Sequence, residues 1–240
     1  MSDISIVIAD TSTAYAKNIA AFFCTKSNIR IAAICKSGPE LIKAVRMHRP
    51  DAVLMDTVLE HTDGLSVLKH LRLDFKDTVF IICSEFASET CVTRAARYGA
   101  TAFICKPADR LSLYETITES VSIMRERSAS NAESADRLDA AISDMLLEIG
   151  ISSGSEGFRL FRYAAKYFVR SGSGNISMTK QLYPELARIF GSTAARIERN
   201  MRSAVARAYT KGTMMHCIKR PTNKELIMMI VSGISSTDII

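Results

Sequence analysis

Four residues in the first half of the chain have the types needed to take up and hold a phosphoryl group: Asp10, Asp56, Ser84 and Lys106. Each stands just after a short apolar run. The stretch 4–9, broken only by Ser5, ends on Asp10, and Asp51-Ala52-Val53-Leu54-Met55-Asp56 ends abruptly on a carboxylate. The run 79–83 ends at Ser84, and the run 102–105 ends at Lys106-Pro107. Runs this short are poor candidates for buried helices and suit strands of a parallel sheet. In an open parallel sheet ligands collect at the carboxyl ends of the strands, so the four residues would meet on one edge. Two carboxylates suit a hard cation such as Mg²⁺, which takes oxygen ligands. A lysine and a hydroxyl supply the donors that the charge of a transferred phosphoryl group requires. A polar residue closing one strand is ordinary; these four types at four strand ends point to a site.

The elements that must position them alternate. Helices are expected at 14–24, 39–47, 64–72, from a Ser88 cap to Tyr98, and at 111–127, with a further apolar run at 29–35. Five strand–helix units predict a doubly wound, flavodoxin-like (βα)5 α/β domain over residues 1–125. Residues 126–136 lack large apolar side chains and read as a flexible tether or a helical extension of the preceding helix. Residues 137–240 show helical periodicity and no strand signal, which predicts an all-α domain.

With 240 residues and 48% hydrophobic content, the chain can bury a real core. It has neither a secretory signal pattern nor an apolar run near the ~20 residues of a membrane span, so a cytoplasmic protein with no membrane partner is expected. Cys24, Cys35, Cys83, Cys91, Cys105 and Cys217 form no Cys-x-x-Cys pair, which favours reduced, buried thiols. His48, His61, His70 and His216 have no metal-ligand spacing. Residues 1–124 are electrically balanced, whereas 137–240 hold 15 Lys/Arg against 8 Asp/Glu, a net +7 that points to nucleic acid.

Asp10, Asp56, Asp63-Gly64, Ser84 and Lys106-Pro107 at these places resemble a response-regulator receiver domain over about residues 3–125. The resemblance implies that Asp56 accepts a phosphoryl group from a phosphotransferase or histidine kinase. It also implies Mg²⁺, with Ca²⁺ as a substitute, on Asp10, Asp56 and the main-chain carbonyl of Val58. Lys106 and Ser84 would contact the phosphoryl group, and Phe103 would repack on switching. Three positions depart from the pattern. Thr11 stands where a second acid is usual, and a hydroxyl is a much weaker Mg²⁺ ligand. Glu60 replaces a usual proline. Glu85 follows Ser84, where it either repels an incoming phosphoryl group or lends the metal the missing carboxylate.

In the second half, Leu138, Ile142, Met145, Leu146 and Ile149 repeat at helical spacing up to Gly150. A Ser155-capped helix then carries Phe158, Phe161, Ala165 and Phe168 as core, with Arg162, Lys166 and Arg170 as solvated neighbours. Pro184 opens a short helix ending at Phe190, Gly191-Ser192-Thr193 turns the chain, and a longer helix runs to Thr210. Ala187, Gly191 and Ile197 have the spacing of a helix-turn-helix. On the longer helix Ile197, Met201, Ala204, Val205 and Ala208 share one face, and Arg196, Arg199, Ser203 and Arg207 lie opposite, with Arg202 on a flank. Arg196 and Arg199 suit base edges; Arg202, Arg207, Lys211 and Lys180 suit phosphates. Pro221-Thr222-Asn223 opens a last helix that stops at Gly233.

Glu148-Ile149-Gly150, Leu182-Tyr183-Pro184, Ser192 through Arg199, and Lys219-Arg220-Pro221-Thr222-Asn223 resemble the effector domain of the stage zero sporulation protein A family. That resemblance implies a transcription factor, not an enzyme, that forms a homodimer when phosphorylated, binds double-stranded promoter DNA and contacts RNA polymerase. Glu198 and Asn200, beside the matched arginines, join the expected DNA contacts. Two other readings are open at this point: a pseudo-receiver that acts without phosphorylation, motivated by Thr11 and Glu85, and an adaptor binding protein or RNA.

Overall fold

The structure is a computed structural model and describes residues 3–172, 176–212 and 219–234. His216, Cys217 and the tail beyond Ile234 lie outside the described residues. The chain divides into two compact units, Met1–Ala129 and Ser130–Ile240.

The first unit runs β1 (Ile4–Ala9), α1 (Thr13–Phe23), β2 (Ile29–Cys35), α2 (Gly38–His48), β3 (Ala52–Met55), β4 (Val58–Leu59), β5 (Thr62–Asp63), α3 (Gly64–Asp74), β6 (Val79–Ser84), α4 (Glu89–Arg97), β7 (Ala102–Cys105) and the start of α5 (Arg110–Glu148). Five strands make one parallel sheet in the order β2-β1-β3-β6-β7, the expected flavodoxin-like arrangement. Every residue of β1, β3 and β6 is buried, which is why these strands read as nearly continuous apolar runs rather than alternating ones. Successive side chains enter opposite layers. Ile6, Ile8, Leu54 and Ile81 pack with Ile19, Phe23 and Ile117 on one face. Val7, Val53, Phe80 and Ile82 pack with Leu41, Leu68 and Leu71 on the other. Side-chain oxygens of Ser12, Ser37, Asp63 and Ser88 cap α1 to α4, each accepting one of the unpaired N–H groups of a first turn.

Of the two readings of residues 126–136, the helical extension holds and the flexible tether does not: α5 is one helix of 39 residues that passes through them. Alanines and charged helix formers sustain a helix with no buried face there, helped by the Arg137–Glu133 pair at 2.5 Å. A two-stranded antiparallel hairpin, β4–β5, interrupts the connection after β3. Cys35 and Cys83 are buried, but Cys24 and Cys105 are exposed, because the first closes α1 and the second ends an edge strand.

The second unit holds the end of α5, α6 (Glu156–Ser171), a π-helical turn (Met178–Leu182), α7 (Tyr183–Ile189), α8 (Ala194–Thr210) and α9 (Asn223–Gly233), with no strand among the described residues. Leu146, Phe161, Leu186, Ile197, Met201 and Ile227 centre its core. Gly157 lets α6 and α8 approach closely, since a Cβ there would lie 2.3 Å from the Ala204 methyl. Thr222 and Glu225 form a reciprocal capping box at the start of α9.

Candidate phosphoacceptor site and nucleic-acid interface

The sheet register carries the reactive residues one step beyond their strands. The Asp56 N–H donates to the Ala9 carbonyl (2.9 Å), the Asp10 N–H to Cys35 (3.0 Å) and the Lys106 N–H to Ser84 (3.0 Å). The parallel ladders therefore continue into the loops and bring Asp10, Asp56, Ser84 and Lys106 to one edge. There Lys106 Nζ lies 2.5 Å from Asp56 Oδ2 and 2.5 Å from Asp10 Oδ2. The second oxygen of Asp10 accepts from the Ser12 N–H at 2.8 Å. That of Asp56 accepts from the Val58 N–H at 3.2 Å and the Thr57 hydroxyl at 3.3 Å. The Lys106-Pro107 peptide is cis.

Burial works against charge in this pocket and is outweighed. It pushes the Asp56 carboxyl up, but hydrogen bonds from Lys106 and Ser84 and the Lys106 charge hold it below its ordinary value. Burial pulls Lys106 down, but its bonds to Asp10 and Asp56 leave the ammonium above its ordinary value. Asp56 is thus an ionised, buried carboxylate beside a fixed cation. The donor set of two carboxylates and the Val58 carbonyl is all oxygen and fits Mg²⁺, which is commonly held through one or two carboxylates with water completing its shell. Thr11 and Glu85 are both exposed, and no cluster of three or more acidic, His or Cys side chains able to hold a metal exists among the described residues.

In the second unit, α7 and α8 meet across a tight turn. Gly191 has φ +58°, a conformation that favours glycine, and the Ser192 N–H donates to the Ala187 carbonyl at 2.9 Å. Thr193 caps α8 by accepting from the Arg196 N–H at 3.3 Å. Ile197, Met201, Ala204, Val205 and Ala208 are all buried, while Arg196, Arg199, Arg202, Ser203 and Arg207 are exposed. The result is an amphipathic helix with an arginine-rich outer face, placed by a helix-turn-helix.

A family model of the response regulator receiver domain matches residues 6–118. A second, for the sporulation initiation factor Spo0A C terminal, matches residues 142–234. The chain belongs to the Spo0A family of response regulators. Among solved structures it resembles a CheY-like response regulator receiver domain protein from Methanospirillum hungatei, at 20% identity and a TM-score of 0.50, over 52% of this chain and 99% of that one. A LuxR-family DNA-binding response regulator from Staphylococcus aureus matches at 21% identity and a TM-score of 0.47, over 49% of this chain and 98% of that one. At 20% identity the first of these likenesses speaks to fold alone. The Spo0A-type effector joined to a receiver makes this a phosphorylation-regulated sporulation transcription factor that binds DNA and takes part in phosphotransfer. No described helix is long and apolar enough to cross a membrane.

Within this Spo0A-family chain the remaining site residues fall as follows. Phe103 is half-buried on β7 against the α2–α3 layer. Lys180 is exposed on the π-helical turn, and Asn200 is half-buried. Glu198 carries an ion pair with Arg202, which engages two of the expected DNA contacts with each other. Three partners escaped the sequence reading. Thr57 is buried, and its hydroxyl lies 2.6 Å from that of Ser84, so the two share one hydrogen bond beside Asp56. The Tyr15 ring lies under Lys106, with its centroid 4.5 Å from Nζ, and its hydroxyl is 3.1 Å from Cys83 Sγ. Burial, then the Cys83 hydrogen bond, pushes the Tyr15 phenol far above its ordinary value, so it stays neutral. Only the position of Thr57, a small polar residue directly after Asp56, offered a hint in the sequence.

Proposed function

We propose that Asp56 is the phosphoacceptor and that its modification gates DNA binding by α8. What carries the reading is the pocket in which Lys106 Nζ lies 2.5 Å from Asp56. A carboxylate oxygen of Asp56 attacks the phosphorus of a phosphohistidine, the P–N bond breaks with its electron pair going to the imidazole, and an aspartyl phosphate forms. Lys106 neutralises the new charge, and Ser84 and Thr57 turn their hydroxyls to its oxygens. Asp10, Asp56 and the Val58 carbonyl would hold Mg²⁺, or Ca²⁺ as a substitute, which would supply electrostatic stabilisation of the charge on the transferring group. Phe103 repacks as Ser84 moves, and the receiver population shifts toward a homodimer, so two effector domains engage adjacent sites.

In this reading residues 1–125 are the receiver, 126–136 the connector and 137–240 the effector. Arg196 and Arg199 read base edges; Arg202, Ser203, Arg207, Glu198, Asn200 and Lys180 line the contact. The phosphodonor is a phosphotransferase or histidine kinase, RNA polymerase is the downstream partner, and the protein works in the cytoplasm. The test is labelling with acetyl phosphate and Mg²⁺. Asp56→Ala abolishes label under this proposal, and Thr11→Asp raises both Mg²⁺ affinity and label. Equal labelling of the parent and Asp56→Ala refutes it, and a parent that takes no label even with Thr11→Asp leaves a pseudo-receiver.

A further inference from the structure

The helix-turn-helix does not absorb all of the basic residues around it. On α6, Arg159, Arg162, Lys166 and Arg170 recur at intervals of three, four and four, a stripe along the side opposite the buried Phe158, Phe161, Ala165 and Phe168. Such a stripe is usually a solvated face, but three observations set this one apart. First, it has an aromatic wall. The Arg159 guanidinium lies over the Phe190 ring at 5.4 Å, and Tyr163 meets the same ring edge-on at 6.1 Å. Arg159, Arg162, Tyr163, Lys166 and Phe190 line a hollow of about 180 Å³, and every lining side chain is cationic or aromatic.

Second, the cations already hold an anion. Asp139, on the last part of α5, places Oδ2 2.6 Å from Lys166 Nζ and Oδ1 3.5 Å from Arg162 Nε. A carboxylate and a phosphate diester ask for the same donors, and the planar fork of arginine serves either. The carboxylate is loosely met, since buried Oδ1 has no hydrogen-bond partner. Three cations against one carboxylate leave the hollow with an excess of positive charge. Third, Phe190 closes α7 immediately before Gly191. The hollow therefore borders the turn that aims α8, where a helix-turn-helix runs beside the sugar–phosphate backbone.

We infer that this hollow is a seat for a DNA backbone phosphate next to the recognition helix, and that Asp139 is the intramolecular anion which that phosphate displaces. The inference rests on α8 as the DNA-reading element. It adds a sequence-independent contact outside α8, and an internal competitor that lowers affinity until DNA takes its place. Displacement needs no covalent step: the Asp139 carboxylate exchanges its two cations for water while the phosphate takes them.

The test uses the full chain and a fluorescein-labelled mixed-sequence duplex, titrated over a range of salt concentrations. Asp139→Asn should bind about threefold to tenfold more tightly and steepen the dependence of log affinity on log salt by up to about one. Arg162→Gln combined with Lys166→Gln should weaken binding and flatten that dependence by about one or more. Arg159→Gln, an exposed substitution that leaves the Asp139 pair in place, should flatten it as well, which keeps the test decisive if the double variant fails to fold. Arg199→Ala is the control. If it weakens binding while the Asp139 and α6 variants match the parent in affinity and slope, the phosphate seat is refuted and the DNA-reading face stands. If Arg199→Ala also has no effect, the reading of α8 fails with it. Tighter binding of Asp139→Asn to polyglutamate but not to DNA would overturn the assignment in favour of an acidic protein partner.

Discussion

Lys106 Nζ is held between Asp56 and Asp10, 2.5 Å from an oxygen of each, so one buried cation joins the acids of two neighbouring strand ends. Removing it leaves two carboxylates facing each other out of water. Breaking a buried pair this way typically costs about 3–5 kcal/mol. Lys106→Ala should therefore unfold at clearly lower denaturant, and added Mg²⁺ should restore more stability to the variant than to the parent. Chemical denaturation with and without Mg²⁺ measures both.

Gly64 is packed against the Asp56 and Thr57 backbone. A Cβ at this position would lie 2.2 Å from the Asp56 carbonyl oxygen and 3.0 Å from that of Thr57. The obstacle is main chain, which cannot swing aside as a side chain would. Gly64→Ala should displace the loop after β3, cost about 1–3 kcal/mol as overpacking does, and cut phosphodonor labelling of Asp56. Labelling by a small-molecule donor, with a thermal melt on the same sample, checks the two effects together.

Asp51 ties the opposite ends of the same strands. Its carboxylate accepts from the Ser5 N–H and hydroxyl, both at 2.8 Å, and pairs with Arg125 at 2.8 Å. Burial raises its pKa, and the Ser5 and Arg125 contacts more than reverse that, leaving it below the ordinary 3.8. A depressed folded-state pKa gives stability that is present above the ordinary value and lost as pH falls through the depressed one. Asp51→Asn should lower stability by about 1–2 kcal/mol near neutrality and reduce the slope of stability against pH below about pH 5. Urea melts across acid pH would reveal that change in slope.

Asn223 pins the helix-turn-helix from behind. Its amide nitrogen donates to the Tyr183 hydroxyl on α7 at 3.0 Å and to the Glu198 carbonyl on α8 at 3.3 Å. One buried side chain thus links both helices of the motif to α9. Asn223→Leu leaves the Tyr183 hydroxyl without this donor and should cost about 1–3 kcal/mol. Tyr183→Phe should cost less. Both should narrow the preference for target over mixed-sequence DNA, measured by competition binding, because the angle between α7 and α8 is then less firmly held.

Much of this arrangement is legible in the sequence. Apolar runs ending on Asp10, Asp56, Ser84 and Lys106 announce a parallel sheet with a polar edge, because strands buried on both faces cannot alternate. Ala187, Gly191 and Ile197 announce the turn, and the buried face of α8 matches its helical periodicity residue for residue. What escapes depends on register or on unmarked choices. Tyr15 meets Cys83 only because β1, β3 and β6 are adjacent in that order, which no local pattern encodes. A run such as Ser128-Ala129-Ser130-Asn131-Ala132 suits a tether as well as an exposed helix, and continuity with α5 decides for the helix. Asn223 reads as a residue of a helix start, and its bonds to α7 and α8 exist only once three helices have packed. The exposed Cys24 and Cys105 likewise depend on where a helix ends and which strand lies at the edge.

Under the proposed function, phosphorylation of Asp56 turns on DNA binding by α8. The direct measurement is the affinity of the full chain for target promoter DNA before and after treatment with acetyl phosphate and Mg²⁺, with Asp56→Ala and Arg199→Ala in parallel. The treated parent should bind more tightly and shift to dimer, Asp56→Ala should show no gain, and Arg199→Ala should bind weakly in either state. Equal affinity of the parent with and without an aspartyl phosphate shown to be present, or the same gain in Asp56→Ala, would contradict it.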